Sequence, residues 1–350
     1  IGKLGGSNFA VIIDEAHSSQ GGETSHQMQQ VLAAGSLEEA ESLESGPQED
    51  WEDRVVEAAQ ARGLLPNVSY FAFTATPKQK TLELFGTKND SGEYEPFSLY
   101  SMRQAIEEGF ILDVLQNYTT YKTYWNLLKK VKDDPRFDRQ KATYLLKSFV
   151  DLHEATIEKK VEIMLGHFDS QIFQKINGYA KAMIVTRSRL HAVRYKLAVD
   201  AYIREHNLPY QALVAFSGTV KDPSDGQTYT ESQMNTRSSG EYIPESATAE
   251  TFKEDQYRIM IVAEKFQTGF DQPYLHTMYV DKKLNGLHAV QTLSRLNRIH
   301  PGKKDVVVLD FVNEAEEIMK AFLPYYDRLI LEEGTDPNLL YTYERKIREF

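Results

Sequence analysis

A chain of 350 residues can bury two ordinary cores, and its 41% apolar and 26% charged residues place it among globular proteins, not disordered or fibrous ones. With no cysteine it has neither disulfides nor thiolate metal sites, which fits a cytoplasmic protein, and no apolar run reaches the roughly 18 residues of a membrane helix, so no membrane partner is expected. The formal charge of −11 weighs lightly against nucleic acid, yet phosphate contacts depend on local patches. Acids crowd between residues 38 and 57, whereas Arg295, Arg298, His300, Lys303 and Lys304 form a basic cluster in the carboxy-terminal half.

The opening residues, Ile1 to Gly6, read as the interior of a longer protein. An apolar run over 9–13 predicts a buried strand, and it ends abruptly in Asp14, Glu15 and His17. Open α/β sheets deliver acids to their carboxyl edge in this way, where ligands bind. The same acids also suit a helix start, and both readings can hold together. A polar, acidic stretch with helical patches at 27–33 and 51–61 leads to a second strand over 68–73. Thr74-Ala75-Thr76-Pro77 follows it, hydroxyl chemistry that is common in turns.

Residues 1–100 therefore read as part of an α/β domain, and 101–165 as a helical linker or insertion. Its helical signals lie at 124–131 and 142–165, with strand character only over 114–121. From 166 to 315 strands and helices alternate. Strands are expected at 182–186, 210–216, 258–262, 277–280 and 305–310, with helices over 188–207 and 286–297. That alternation calls for a parallel sheet. A stretch over 222–245, rich in Ser, Gly, Thr and Asp, predicts a mobile loop, and 316–350 a charged helical tail.

Three stretches of the second half carry chemistry. In Gln291-x-x-Ser294-Arg295-x-x-Arg298 a continuous helix puts both arginines on one face, able to clamp a transferring phosphoryl group. The bland alternative is a solvated face with surface ion pairs, but Leu293, Leu296 and Ile299 supply a buried side. Gly269 allows close backbone approach to a ligand, and Asp271 can bind ribose or an arginine. Thr186 and Arg187, after a strand, suit a nucleic-acid phosphate or simply a helix cap. The histidines show no metal-ligand spacing, and no G-x-x-x-x-G-K-[ST] phosphate cradle occurs.

In order, these stretches resemble the superfamily 2 helicase/translocase ATPases. Val11 to His17 is similar to the acidic motif II, Thr74 to Thr76 to motif III, Ala182 to Arg189 to the motif IV region, Thr268 to Asp271 to motif V, and Gln291 to Arg298 to motif VI. More closely, the stretches from Phe71 to Pro77, Tyr100 to Ile111 and Gln291 to Pro301 resemble the motor (restriction) subunit of type I restriction–modification enzymes. The resemblance implies RecA-like parallel sheets, a partial first domain and a complete second one, in a carboxy-terminal part of that subunit without its nuclease domain. It implies ATP and Mg²⁺ as cofactors, double-stranded DNA as track, and specificity and methyltransferase subunits as partners. Carried onto this chain, Asp14 would hold Mg²⁺ through water and Glu15 would activate the attacking water. His17, Thr74, Thr76 and Gln291 would couple nucleotide state to movement. Arg295 and Arg298 would stabilise transition-state charge, Gly269 and Asp271 would close on the nucleotide, and Thr186, Arg187 and Thr268 would meet the DNA backbone. Two alternatives stay open: another superfamily 2 enzyme, such as an RNA helicase or repair translocase, or a non-catalytic DNA- or partner-binding module.

Overall fold

The computed structural model describes residues 9–14, 68–77, 79–121, 123–124, 157–222, 225–237, 239–263, 265–266 and 270–326. The helical patches expected at 27–33, 51–61 and 142–156, and the tail beyond 326, lie outside the described residues. The chain divides into two compact units, Ile1–Tyr100 and Ser101–Phe350. Among the described residues no helix is long and apolar enough to cross a membrane.

In the first unit β1 (Phe9–Asp14) pairs in parallel with β2 (Val68–Phe73), in a register that sets Phe9 against Val68 and Asp14 against Phe73. Parallel strands present the same end to the same edge. Asp14 and the residues after Phe73 therefore share the carboxyl edge. A short helix α1 (Gln79–Phe85) and a small antiparallel pair, β3 (Thr87–Lys88) with β4 (Tyr94–Glu95), complete the described part of this unit.

The second unit is built on a six-stranded parallel sheet. Its strands are β5 (Tyr118–Thr120), β6 (Lys181–Thr186), β7 (Gln211–Ala215), β10 (Tyr257–Val262), β11 (Leu275–Asp281) and β12 (Val307–Asp310), in the spatial order β5-β12-β11-β6-β10-β7. The central strands β6, β10 and β11 are buried at every residue because both faces are covered. Ala182, Ile184, Ile259, Ile261 and Tyr279 face a layer that includes α3 (Ile157–His167) and α4 (Arg189–Glu205). Met183, Val185, Met260, Val262, Met278 and Val280 face the opposite layer. That layer holds α7 (Gly286–Leu293) and α8 (Ala315–Tyr326).

Two stretches differ from their expectation. The segment expected as a linker supplies a short helix α2 (Met102–Glu107), the edge strand β5, which pairs with β12, and α3 on the sheet, so its described parts belong to the second unit. The described residues of the polar stretch 222–245, expected as a mobile loop, are packed together with their neighbours. There β8 (Thr219–Lys221) pairs antiparallel with β9 (Thr228–Thr230), and α5 (Glu231–Met234) follows under a Thr230 cap, before α6 (Thr248–Thr251). Its polar residues cover the exposed edge of β7. The Asn235 amide accepts from Val214 N–H at 2.9 Å and donates to Val214 O at 2.7 Å, standing in for a neighbouring strand. Glu231, fully buried, accepts from Phe216 N–H at 2.8 Å.

Candidate functional site

In the first unit the parallel register brings the acid-bearing end of β1 beside Phe73, one residue before Thr74. Thr74 Oγ1 accepts from Thr76 N–H at 3.1 Å, a local turn that keeps the Thr-Ala-Thr segment tight. Thr76 is buried, and its hydroxyl has no partner among the described residues. Glu15 and His17 lie outside the described residues.

In the second unit the arginine motif departs from the expected single helix. α7 ends at Leu293, a tight turn spans Ser294–Leu296, and Arg298 lies beyond it in an antiparallel bridge with Ile111. Three-residue spacing on one helix therefore does not set the two guanidinium groups. Arg295 Nε donates back to Gln291 O at 3.3 Å, and its Nη1 to Phe270 O at 3.4 Å. Arg298 Nε stands 3.5 Å from Asp271 Oδ1, both side chains exposed, a pair worth little to stability. Leu112 N–H donates to Asn297 O at 2.8 Å. The arginine segment is thus laid against 270–271, at the end of the loop that follows the carboxyl end of β10. Thr268 and Gly269 in that loop lie outside the described residues, and Phe266 before them holds a left-handed φ of 66° while stacking on Phe270. A non-glycine residue in that conformation stores strain, a feature that gathers at functional loops.

Thr186 and Arg187 are held differently. Thr186 is fully buried, with its hydroxyl within 3.0 Å of Val262 O and 3.2 Å of Ser188 O. Its hydroxyl is held by these two backbone oxygens in the turn that follows β6. Arg187 remains half exposed at the carboxyl end of β6, with Nη2 3.1 Å from Asp281 Oδ1.

Sequence reasoning missed two side chains that organise this edge, and a third that lies away from it, before the start of β12. Asp281 ends β11, is 1% exposed, and also accepts from Lys160 Nζ and Tyr195 OH, each at 2.8 Å. Asp310 ends β12 and accepts from Val312 and Asn313 N–H at 2.8 Å and from Tyr118 OH at 2.7 Å. Burial raises its pKa, while these hydrogen bonds pull the other way. Asn313 then accepts from Leu284 N–H at 2.9 Å and donates to Lys282 O at 2.8 Å, fixing the loop that leads into α7. The signal for both acids was the one that singled out Asp14, a carboxylate closing an apolar strand. The third, Lys303, was read as part of a basic surface cluster. Instead it is buried, and burial together with the Arg298 charge pulls its pKa down to about 7.

An all-parallel sheet covered on both faces, with charged groups gathered at its carboxyl edge, defines an α/β protein of the doubly wound class. The family described as type I restriction enzyme subunit R domain 3 matches residues 110–313. The chain belongs to this family. It is similar to the type I restriction enzyme HindI endonuclease subunit of Haemophilus influenzae, 28% identical over 337 residues, which cover 91% of this chain and 28% of that protein. It is also similar to the type I restriction enzyme SauCOLORF180P endonuclease subunit of Staphylococcus aureus, 24% identical over 322 residues, 81% of this chain and 31% of that protein. The chain thus spans less than a third of the length of these relatives. Among solved structures, the ATP-dependent type ISP restriction–modification enzyme LlaBIII bound to DNA is a distant likeness. It is 15% identical with a TM-score of 0.40, covering 91% of this chain and 20% of that one.

Proposed function

We propose that this chain is part of an ATP-hydrolysing motor that moves along double-stranded DNA in a type I restriction endonuclease, with cleavage carried by a nuclease domain elsewhere in the protein. The observation that carries the reading is the arginine segment laid on residues 270–271, with Arg295 on Phe270 O and Arg298 beside Asp271. Two guanidinium groups held at a strand-end loop suit a charge that grows during phosphoryl transfer.

Mg²⁺ on the acid side is supported by the position of Asp14, which ends a parallel strand and brings the oxygen chemistry a hydrated cation takes. When bound, the ion neutralises phosphate charge. Asp14 would hold its water shell, and the Glu15 carboxylate would take a proton from the attacking water. His17, Thr74, Thr76 and Gln291 would pass the nucleotide state on, and Gly269 and Asp271 would close on the nucleotide. Arg187 meets the DNA backbone with Thr268, steadied by Asp281. The 350 residues contain no phosphate cradle, so the reading requires one from the remainder of the protein. Specificity and methyltransferase subunits are the partners it implies.

Arg298→Ala in the full-length subunit tests the reading. DNA-stimulated ATP hydrolysis should fall on the order of 10³-fold, by analogy with arginine fingers, while duplex binding survives. Unchanged turnover sinks the assignment.

A further inference from the structure

Immediately after the arginine segment the chain folds back on itself. Gly302 adopts a φ of 87°, which favours glycine, and Pro301 presets the φ before it, the pairing that a type II turn uses. Lys303 N–H closes the turn on His300 O at 2.9 Å. The turn carries the Lys303 side chain underneath the preceding segment, where its ammonium group, on a residue 5% exposed, donates to Leu296 O and Arg298 O at 2.8 Å each.

We propose that Lys303 is a positioning residue for the arginine segment, clamping the backbone that carries Arg298 so that its guanidinium is presented in one geometry. The inference rests on reading Arg298 as the charge-stabilising group. Because α7 has ended at Leu293, no helical ladder holds Arg298. Its backbone is steadied on one side by the bridge to Ile111 and on the other by the Lys303 clamp. Packing alone does not call for a lysine here. A buried ammonium costs desolvation, and the neighbouring Arg298 charge adds repulsion, so an apolar side chain would fill the space more cheaply. What the apolar side chain cannot do is donate to two carbonyls flanking Asn297.

The test uses Lys303→Met and Lys303→Gln in the full-length subunit, each alone and combined with Arg298→Ala. Thermal melts accompany DNA-stimulated ATPase, resolved into kcat and KM for ATP. Displacing a catalytic group by about 1 Å can cost 10²-fold. Lys303→Met should therefore lower kcat about ten- to a hundredfold with little change in KM. It should lower kcat no further once Arg298 is gone. Lys303→Gln, which keeps a donor for one carbonyl, should fall between, and it carries the test if the methionine variant does not fold. Wild-type kcat in Lys303→Met beside an inactive Arg298→Ala overturns the proposal, as does an equal loss in both backgrounds. A fully active Arg298→Ala instead removes the reading beneath it.

Discussion

Replacing Asp281 with asparagine should unfold the second unit far more easily than its small change in shape suggests. The carboxylate is 1% exposed and is shared by Lys160, Tyr195 and Arg187. Arg187 contributes little to the loss, because its half-exposed side chain is rehydrated when the partner goes. Lys160 is different: its side chain is 10% exposed, and it would be left as an uncompensated buried charge. Breaking such a pair costs about 3–5 kcal/mol. The asparagine oxygen can still accept one bond, from Lys160 or from Tyr195, which places the expected loss near the low end, about 3 kcal/mol. Urea unfolding followed by circular dichroism would measure it, with Glu250→Gln as reference for an exposed pair, Lys253 with Glu250. Adding Lys160→Met to Asp281→Asn should recover part of the loss, since the stranded charge is then gone. If Asp281→Asn lies within about 0.5 kcal/mol of wild type, as expected for the exposed pair, the hub reading is wrong.

Two further perturbations probe the same unit. Burial, with a smaller contribution from His276, holds the His167 pKa down to about 4 from 6.5, its Nδ1 against Tyr279 OH at 2.8 Å. The unfolded chain then binds more protons between those values, so stability is lost as pH falls from 6.5 towards 4, by about 3 kcal/mol in all. His167→Gln should remove that part of the slope in a pH series of unfolding curves, and an unchanged slope would disprove the assignment. At Glu231, which accepts from Phe216 N–H and Thr248 OH and pairs with Lys265 at 2.8 Å, alanine should cost about 2–4 kcal/mol. Glutamine should cost less, because it keeps an acceptor. The two urea midpoints should therefore rank in that order, and the reverse order would show that the charge, not the backbone bond, matters most there.

The sequence by itself determined the parallel sheet of the second unit. Short apolar runs such as 259–262, bounded by polar and turn residues, read as strands covered on both faces, and their alternation with helices calls for parallel pairing. It also marked the residues whose types carry chemistry, the Asp14 strand end and the two arginines, because a charge directly after an apolar run is a local pattern. Only the tertiary structure decided how the second-unit groups are held. Helix periodicity placed Arg295 and Arg298 on one helix, whereas the chain leaves that helix at Leu293 to pair with Ile111, a contact 187 positions distant in sequence. Composition marked 222–245 as a loop, since Asn235 and Glu231 look like solvent-facing residues until the open edge of β7 is there to use them. Thr186 and Lys303 looked like surface contacts for the same reason. A hydroxyl or an ammonium group has the same local signature whether it meets solvent, phosphate or a buried carbonyl. Long-range packing alone selects among those partners.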